Sequence, residues 1–167
     1  MKRIVILFLL IAPSVLAAGR ANSHAKGLQA EQPRKAIDEL NQKEIDACLK
    51  MDHAASAALW ADDGVDLIQG LQPMIGKEAI SKWYDSLTPQ LHGAKMEYCT
   101  IDWQQIKIQD DWAWEWGVNR QKINFPPPQK SFESDGKILL ILKRQADGAW
   151  RIELESWNSN PQPQETK

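Results

Sequence analysis

The sequence predicts an α+β domain in which helices come first and long strands follow. Up to about residue 87 the apolar residues recur at three- and four-residue spacing, and from about residue 95 they alternate with period two. Asp147-Gly148 separates two alternating apolar runs, which is a strong signal for a β-hairpin. Helices followed by strands are typical of an α+β architecture. We expect the long antiparallel sheet to curl into a cone over three N-terminal helices and to enclose a cavity.

The first 18 residues have the pattern of a secretory signal peptide. Met1-Lys2-Arg3 is a basic head, and the apolar run from Ile4 to Ala12 is too short to span a bilayer. Small residues at Ala17 and Ala18 offer a cleavage site, so we expect a periplasmic or secreted mature protein. An uncleaved anchor is the alternative. No cysteine follows the apolar run, so lipidation is excluded there and no stable membrane anchor is expected.

Composition limits the partners of the mature chain. Cleavage after residue 18 removes two of the 20 basic residues and none of the 22 acidic ones, which leaves a net charge of −4. An acidic chain of this kind is not expected to bind nucleic acid. The 149 residues that remain are enough for one domain. Cys48 and Cys99 either form a disulfide, if their Cα atoms lie within about 7 Å, or stay as two buried thiols, which we favour.

The helical half begins after a polar stretch without periodicity. Residues 19–32 are interpreted as a flexible linker, and Pro33 suits the first turn of a helix. Apolar spacing then predicts an amphipathic helix over residues 34–51, a second helix from about residue 53 to 60, and a third over residues 77–87. In the third helix Ala79, Ile80, Trp83 and Leu87 share one face.

The strand half is divided by turn and proline signals. A short early strand covers residues 65–68, between the second and third helices. Long strands are predicted at 95–109 and 112–125, and Pro126-Pro127-Pro128 then forces a loop. The two arms of the last hairpin lie within residues 136–158, and residues 159–167 are predicted to be a disordered tail.

Four segments, in this order and spacing, resemble one known family. They are Ala57-Ala-Leu-Trp-Ala-Asp-Asp-Gly-Val65, Ile75-Gly-Lys-Glu-Ala-Ile80, Ala113-Trp-Glu-Trp-Gly117 and Asp147-Gly-Ala-Trp-Arg-Ile152 with Glu155-Ser-Trp-Asn158. Over residues 33–158 the chain resembles the nuclear transport factor 2-like superfamily, in its SnoaL-like and ketosteroid-isomerase-like branch. The resemblance implies a cystatin-like α+β barrel with an internal pocket. It implies no single reaction, because this superfamily includes isomerases, cyclases, dehydratases and members without known activity.

Three carboxylates are candidates for a catalytic base. Glu44 lies in the apolar stripe of the first helix, Asp66 interrupts an apolar run on the face it shares with Ile68, and Glu115 lies between two tryptophans. A carboxylate that faces a cavity has a raised pKa and can act as a general base. The alternative for Glu44 is a solvated surface acid, and the alternative for Asp66 is that its strand face is exposed to water.

The strand around Glu115 has two contrasting faces. Trp112, Trp114 and Trp116 share one face, and the other carries Ala113, Glu115, Gly117 and Asn119. If the tryptophan face lines the cone, it forms an aromatic cage for a ligand. If it lies outside, it is the interface of a homodimer. We favour the interface, so that Ala113, Glu115 and Asn119 face the pocket and Gly117 leaves room for a ligand.

Other residues are candidates for contact with a ligand. Glu155 occupies a position where the resembled family often has Asp, and it shares a face with Trp157, whose indole N–H can donate into a cavity. Tyr98 is favoured over Tyr84 as an oxyanion donor. The predicted ligand-binding residues are Cys48, Trp60, Trp83, Tyr98, Asn119, Glu155 and Trp157.

No sequence signal indicates a metal or a cofactor. His24, His53 and His92 lack ligand spacing, and there is no phosphate loop, nucleophile elbow or dinucleotide fingerprint. Three functions remain: a binding protein for a small, largely apolar molecule, an isomerase, cyclase or dehydratase with a pocket carboxylate, or a non-catalytic assembly module. The enzyme predicts a carboxylate of raised pKa inside the pocket, the binding protein predicts a pocket without one, and the assembly module predicts a filled cone.

Overall fold

The structure is a computed structural model that describes the backbone of residues 18–160 and side chains from residue 31 onward. The predicted signal peptide and the end of the predicted tail, residues 161–167, lie outside the described residues, apart from Ala18. The chain divides between Pro33 and Arg34 into two compact units. Among the helices of the described range, none has the length and apolar character needed to cross a membrane.

Three helices are found where periodicity predicted them, but the first is longer than predicted and the second ends at Ala58 rather than near residue 60, because the first strand begins at Trp60 instead of Val65. Helix α1 covers Ala18–Lys50, α2 covers His53–Ala58 and α3 covers Lys77–Leu87. Residues 19–32 therefore have helical backbone, where we predicted a linker; this stretch is rich in alanine and other good helix formers, and a helix satisfies their backbone groups locally. Helix α2 is capped by Asp52, whose carboxylate accepts a hydrogen bond of 2.9 Å from the N–H of Ala55.

Six strands form one sheet in the order β2-β1-β6-β5-β4-β3. Their bounds are β1 Trp60–Ile68, β2 Met74–Ile75, β3 Lys95–Gln109, β4 Trp112–Asn124, β5 Phe132–Arg144 and β6 Trp150–Ser159. The predicted α+β class is confirmed. The sheet is mixed rather than wholly antiparallel, because β1 lies parallel to β6. The predicted start of the tail is wrong, because Ser159 ends β6 and the N–H of Asn160 donates to the carbonyl of Asp135 at 2.7 Å.

The two faces of β4 differ in burial in the way that the favoured interpretation predicts. Ala113, Glu115 and Asn119 are buried on the inner face, whereas Trp112 and Trp116 are 46% and 39% exposed on the outer face. The core beneath the helices contains Ile37, Leu40, Trp60, Ile80, Leu140, Leu142 and Ile152.

Gly117 serves the packing of two strands, and the prediction that it leaves room for a ligand is wrong. A Cβ atom at this position would lie 2.8 Å from the carbonyl oxygen of Asp102. The glycine is therefore needed because β3 approaches β4 closely at this point.

A disulfide connects Cys48 of α1 to Cys99 of β3, with 6.2 Å between the Cα atoms. The preference for two free thiols is therefore wrong. The spacing of cysteines in the sequence did not decide between the two states, because only the docking of α1 on the sheet brings the two residues together.

Candidate functional site

A cavity of about 1000 Å³ lies between the helices and the inner face of the sheet, within the unit that begins at Arg34. Its wall is mainly apolar and includes Ile45, Leu87, Leu91, Met96, Ile101, Ile123, Phe125 and Ile138. A cavity of this size and lining is typical of a small-molecule site. An assembly module predicted a cone filled by its own side chains. The cavity shows that the cone is not filled in this way.

Most of the residues singled out from the sequence border this cavity. These are Glu44, Cys48, Trp60, Asp66, Trp83, Asn119, Glu155 and Trp157. Cys48 does so as half of the disulfide, so it offers no thiol. Tyr98 and Glu115 are not part of the wall.

Tyr98 lies on the outer face, and its predicted role as a donor in the pocket is wrong. Its hydroxyl donates a hydrogen bond of 2.5 Å to Glu133 on β5. The ladder between β3 and β4 is irregular between Met96 and Tyr98, so the strand alternation shifts by one residue there, and Met96 and Cys99 face the cavity instead.

Tyr84 borders the cavity in place of Tyr98. It stands four residues after buried Ile80 on α3, so the helical period already contained this signal. The ring of His53 stacks on Tyr84 with 5.7 Å between centroids, and its Nδ1 is 3.0 Å from the hydroxyl oxygen of Thr88. Burial, and then the nearby carboxylates of Glu155 and Asp66, raise the pKa of Tyr84 well above its usual value. Its hydroxyl therefore stays protonated and can donate.

Three acidic residues lie in one row across the sheet. Asp66 of β1 pairs in register with Glu155 of β6, Glu155 pairs with Leu140 of β5, and Leu140 pairs with Glu115 of β4. Register partners on neighbouring strands point to the same face and lie about 5 Å apart. The row therefore brings Asp66 and Glu155 side by side, while Leu140 separates Glu155 from Glu115.

Glu115 is buried beneath α1, so the prediction that it faces the pocket is wrong. Its side chain is fully inaccessible, and its Oε2 accepts a hydrogen bond of 3.0 Å from the side-chain amide of Asn41. Within the described part of the chain, its Oε1 has no hydrogen-bond partner. Burial raises the pKa of Glu115 to about 7, although the Asn41 hydrogen bond opposes the shift. The two-residue period predicted its face correctly but could not show that α1 covers it.

The three carboxyl groups that border the cavity all favour their neutral forms. Burial, with a further contribution from Glu115, raises the pKa of Glu44 to about 8. Burial raises the pKa of Asp66 to about 7, against a lowering backbone hydrogen bond at Leu67. Burial and then the charges of Glu44 and Asp66 raise the pKa of Glu155 well above its usual value.

Two oxygen atoms in this group have no hydrogen-bond partner among the residues that the structure describes. They are Oε2 of Glu44 and Oδ1 of Asp66, and Asp66 is only 1% exposed. Buried polar atoms are nearly always hydrogen-bonded, so an oxygen that is shielded from solvent and unpaired disfavours the ionised form of its carboxyl group.

The indole N–H of Trp157 is already used. It donates to Oδ1 of Asn119 at 3.2 Å, and the Asn119 amide in turn donates to the carbonyl of Thr100 at 3.4 Å. The prediction that Trp157 offers a free donor to a ligand therefore does not hold. Trp157 instead presents its ring to the cavity while Asn119 fixes its orientation.

Within residues 31–160, no group of three or more His, Cys, Asp or Glu side chains has the arrangement that could hold a metal ion. The cavity carboxylates thus lie near one another without converging on a single point. Their chemistry is that of separate acids and bases on a common wall.

Solved structures of low sequence identity have the same fold as this chain. A ketosteroid isomerase-like protein from Erwinia carotovora atroseptica SCRI1043 has a TM-score of 0.66 at 17% identity, covering 77% of this chain and 96% of that one. An NTF2-like protein with a cystatin-like fold from Novosphingobium aromaticivorans has a TM-score of 0.68 at 16% identity, covering 86% and 92%. A protein from Catenulispora acidiphila in complex with S-DNPA has a TM-score of 0.62 at 14% identity, covering 77% and 94%.

No protein-family profile matches the chain, and no curated protein matches it in sequence. At these identities the structural likeness concerns the fold alone. The predicted nuclear transport factor 2-like, cystatin-like fold is confirmed, and fold alone leaves the activity open.

Proposed function

We propose that this protein binds a small, largely apolar molecule in its cavity and transfers a proton on it without a cofactor. The observation that carries the proposal is the pair Asp66 and Glu155, side by side on the cavity wall with Glu44 nearby. Burial raises the pKa of Asp66 to about 7 and that of Glu44 to about 8, so both proton states are accessible near neutral pH. A pocket carboxylate of this kind is what an enzyme predicts and a passive binding protein does not.

The environments of these groups suggest their roles. Two neighbouring carboxyl groups do not readily ionise together, so one of the pair Asp66 and Glu155 can act as a base while the other stays protonated and supplies an acid. We assign the base to Asp66, whose pKa burial raises to about 7. The protonated hydroxyl of Tyr84 can donate to a carbonyl oxygen on which negative charge develops. An isomerisation, cyclisation or dehydration needs only such groups.

We further propose that the protein acts outside the cytoplasm, in the periplasm or as a secreted protein. The disulfide between Cys48 and Cys99 agrees with the oxidising compartment that a signal peptide implies. The likeness to a ketosteroid isomerase-like protein, and to another protein in complex with S-DNPA, is compatible with a ligand-binding cone.

The test uses 5-nitrobenzisoxazole, whose ring opens when a base removes one carbon-bound proton and forms a coloured phenolate. We expect catalysed ring opening whose rate rises with pH through about 7, because Asp66 must be ionised to act. Asp66→Asn should lower the rate constant by about a hundredfold, since an amide cannot accept this proton.

Matched controls come from acids outside the cavity. Asp63→Asn changes an exposed residue of the same strand, and Glu153→Gln changes an acid of β6 that does not border the cavity. Both should keep the full rate. Ring opening that persists in Asp66→Asn, or that is lost equally in the control variants, would contradict the role of Asp66.

The outer tryptophan face supports a second proposal, that two copies of this chain pair through it. Trp112, Trp116 and Leu139 are 46%, 39% and 38% exposed, and Leu139 pairs in register with Trp116. Two lysines lie over this face, with Lys143 Nζ 4.9 Å from the Trp112 ring and Lys107 Nζ 5.4 Å from the Trp114 ring. A contiguous aromatic patch with a charged border fits the core and rim of an interface.

A further inference from the structure

The acidic end of the cavity is rich in carboxyl groups and poor in bases. Glu44, Asp66 and Glu155 all contribute to its wall. In the described part of the chain, the basic side chains on that wall are His53, which is hydrogen-bonded to Thr88, and Lys130, which lies on an exposed loop. The salt bridges found among the described residues all lie elsewhere.

An ionised carboxylate buried without a cationic partner is costly, so without a bound cation these groups favour their neutral forms. Asp66 is almost inaccessible and borders the cavity beside its register partner Glu155, and neither acid has a salt-bridge partner among the described residues. A cationic group on a bound molecule would supply the positive charge that allows these acids to ionise. We propose that the ligand is a small apolar molecule with one basic nitrogen, whose ammonium group lies against the neighbouring pair Asp66 and Glu155.

The rest of the wall suits such a molecule. Trp60, Trp83, Tyr84 and Trp157 border the same cavity, and aromatic faces attract an ammonium group. The aliphatic side chains of α3, β3 and β4 leave room for an apolar body. This inference rests on the proposed function in one respect, that the cavity is the binding site of a small, largely apolar molecule.

A cationic ligand has a thermodynamic consequence that a neutral ligand lacks. Its charge favours ionised carboxylates, so its binding must expel protons from groups whose pKa is raised. Asp66 on β1 and Glu155 on β6 are the acids it would contact, and Glu44 on α1 lies near enough for its charge to raise the pKa of Glu155. The other titratable groups around this space are His53 on α2, Tyr84 on α3, Glu115 on β4 and Lys130 in the loop after β4.

The sign of the pH dependence follows. Affinity for an amine should increase as pH rises through about 7 to 8, where Asp66 and Glu44 ionise more readily. An alkylammonium ion, like a lysine side chain, stays charged to about pH 10, so the higher affinity for the amine should persist up to that pH.

The experiment compares three probes with the same apolar chain: decylamine, 1-decanol and decanoate. Isothermal titration of the full chain at neutral pH should show decylamine binding about tenfold or more tightly than 1-decanol, and decanoate more weakly than either. Titration of decylamine in two buffers of different ionisation enthalpy should reveal the release of protons by the protein. Asp66→Asn should weaken decylamine about tenfold and leave 1-decanol unchanged, whereas Asp63→Asn should alter neither.

Two results would overturn the inference: 1-decanol binding as tightly as decylamine, or decylamine binding without proton release. The second needs no variant, so it holds even where Asp66→Asn fails to fold, and Glu155→Gln provides an independent variant. Ring opening of 5-nitrobenzisoxazole separates this inference from the proposed function. Ring opening without amine preference would refute the ligand class alone, and amine binding without ring opening would refute proton transfer alone.

Discussion

Asp66→Asn should make the protein more stable at alkaline pH while leaving its stability in acid nearly unchanged. The side chain is 1% exposed, and burial raises its pKa from 3.8 to about 7. An asparagine has nearly the same shape and carries no charge at any pH. The substitution therefore removes the cost of ionising this position in the folded state and keeps the packing.

The magnitude follows from the shift in pKa. The folded-state pKa is raised, so the favourable contribution of protonated Asp66 is complete below about pH 4 and is lost as pH rises to about 7. A shift from 3.8 to about 7 corresponds to a loss of about 4 kcal/mol in the free energy of unfolding. Asp66→Asn should therefore be more stable than the wild type by up to about 4 kcal/mol above pH 8, and by about zero near pH 4.

Urea denaturation measured at several pH values provides the assay, with tryptophan fluorescence as the signal. The difference in free energy of unfolding between variant and wild type should grow between about pH 4 and pH 7 and then level off. Asp63→Asn, an exposed acid of the same strand, should give a difference that does not change in this way. Parallel pH profiles for Asp66→Asn and wild type would show that Asp66 is solvated, and the reasoning about the cavity would fail.

Two further predictions concern the cross-link and the outer face. Replacing Cys48 and Cys99 together by alanine should lower the free energy of unfolding by about 4 kcal/mol, the value expected for a closed loop of 51 residues, and an unchanged urea midpoint would refute this. Trp116→Lys should convert a dimer into monomers in sedimentation velocity runs. Gln104→Lys changes an exposed residue and should leave the dimer intact. A monomeric wild type, or a Trp116→Lys variant that stays dimeric, would exclude this face as the interface.

Local pattern predicted much of the fold. Helix α3 and strand β3 were predicted with their observed bounds, because their periods are clear and turn residues border them. Glu44 and Asp66 were identified because each is a charged residue that shares a face with apolar ones, and periodicity was sufficient for these two. Glu155 was identified by its position in the resembled family. Strict alternation would place it on the face of Arg151 and Glu153, and only the irregular ladder between Ile152 and Leu154 brings it to the same face as Ile152.

The errors arise where the outcome depends on distant parts of the chain. Tyr98 was assigned to the pocket as a strand tyrosine, without evidence of which face of β3 it occupies, and the irregular ladder between Met96 and Tyr98 leaves no mark in the sequence. Glu115 was assigned to the pocket because its cover comes from Asn41 on α1. The disulfide likewise depends on the docking of α1 against β3, which neither segment encodes alone.

The parallel pairing of β1 with β6 is the feature that creates the acidic site. Asp66 lies on the first strand and Glu155 on the last one, and only the pairing of these two strands brings the two side chains together. The pairing is fixed beside the site, where the N–H of Ile152 donates to the carbonyl of Leu59 at 3.0 Å. Gly64 permits this approach, because a Cβ atom there would lie 3.1 Å from the carbonyl oxygen of Ile152 and 2.9 Å from the ring of Trp60.

The register of this pair also determines which chemistry the cavity contains. A slip of one residue in β1 would turn Asp66 outward and bring Val65 and Leu67 to the cavity wall, leaving Glu155 without its neighbour. The two acids therefore come together only when the last strand of the chain has docked on the first. The proposed proton-transfer site is thus a product of the completed sheet, and variants that loosen the β1–β6 contact should lose ring opening before they lose the rest of the fold.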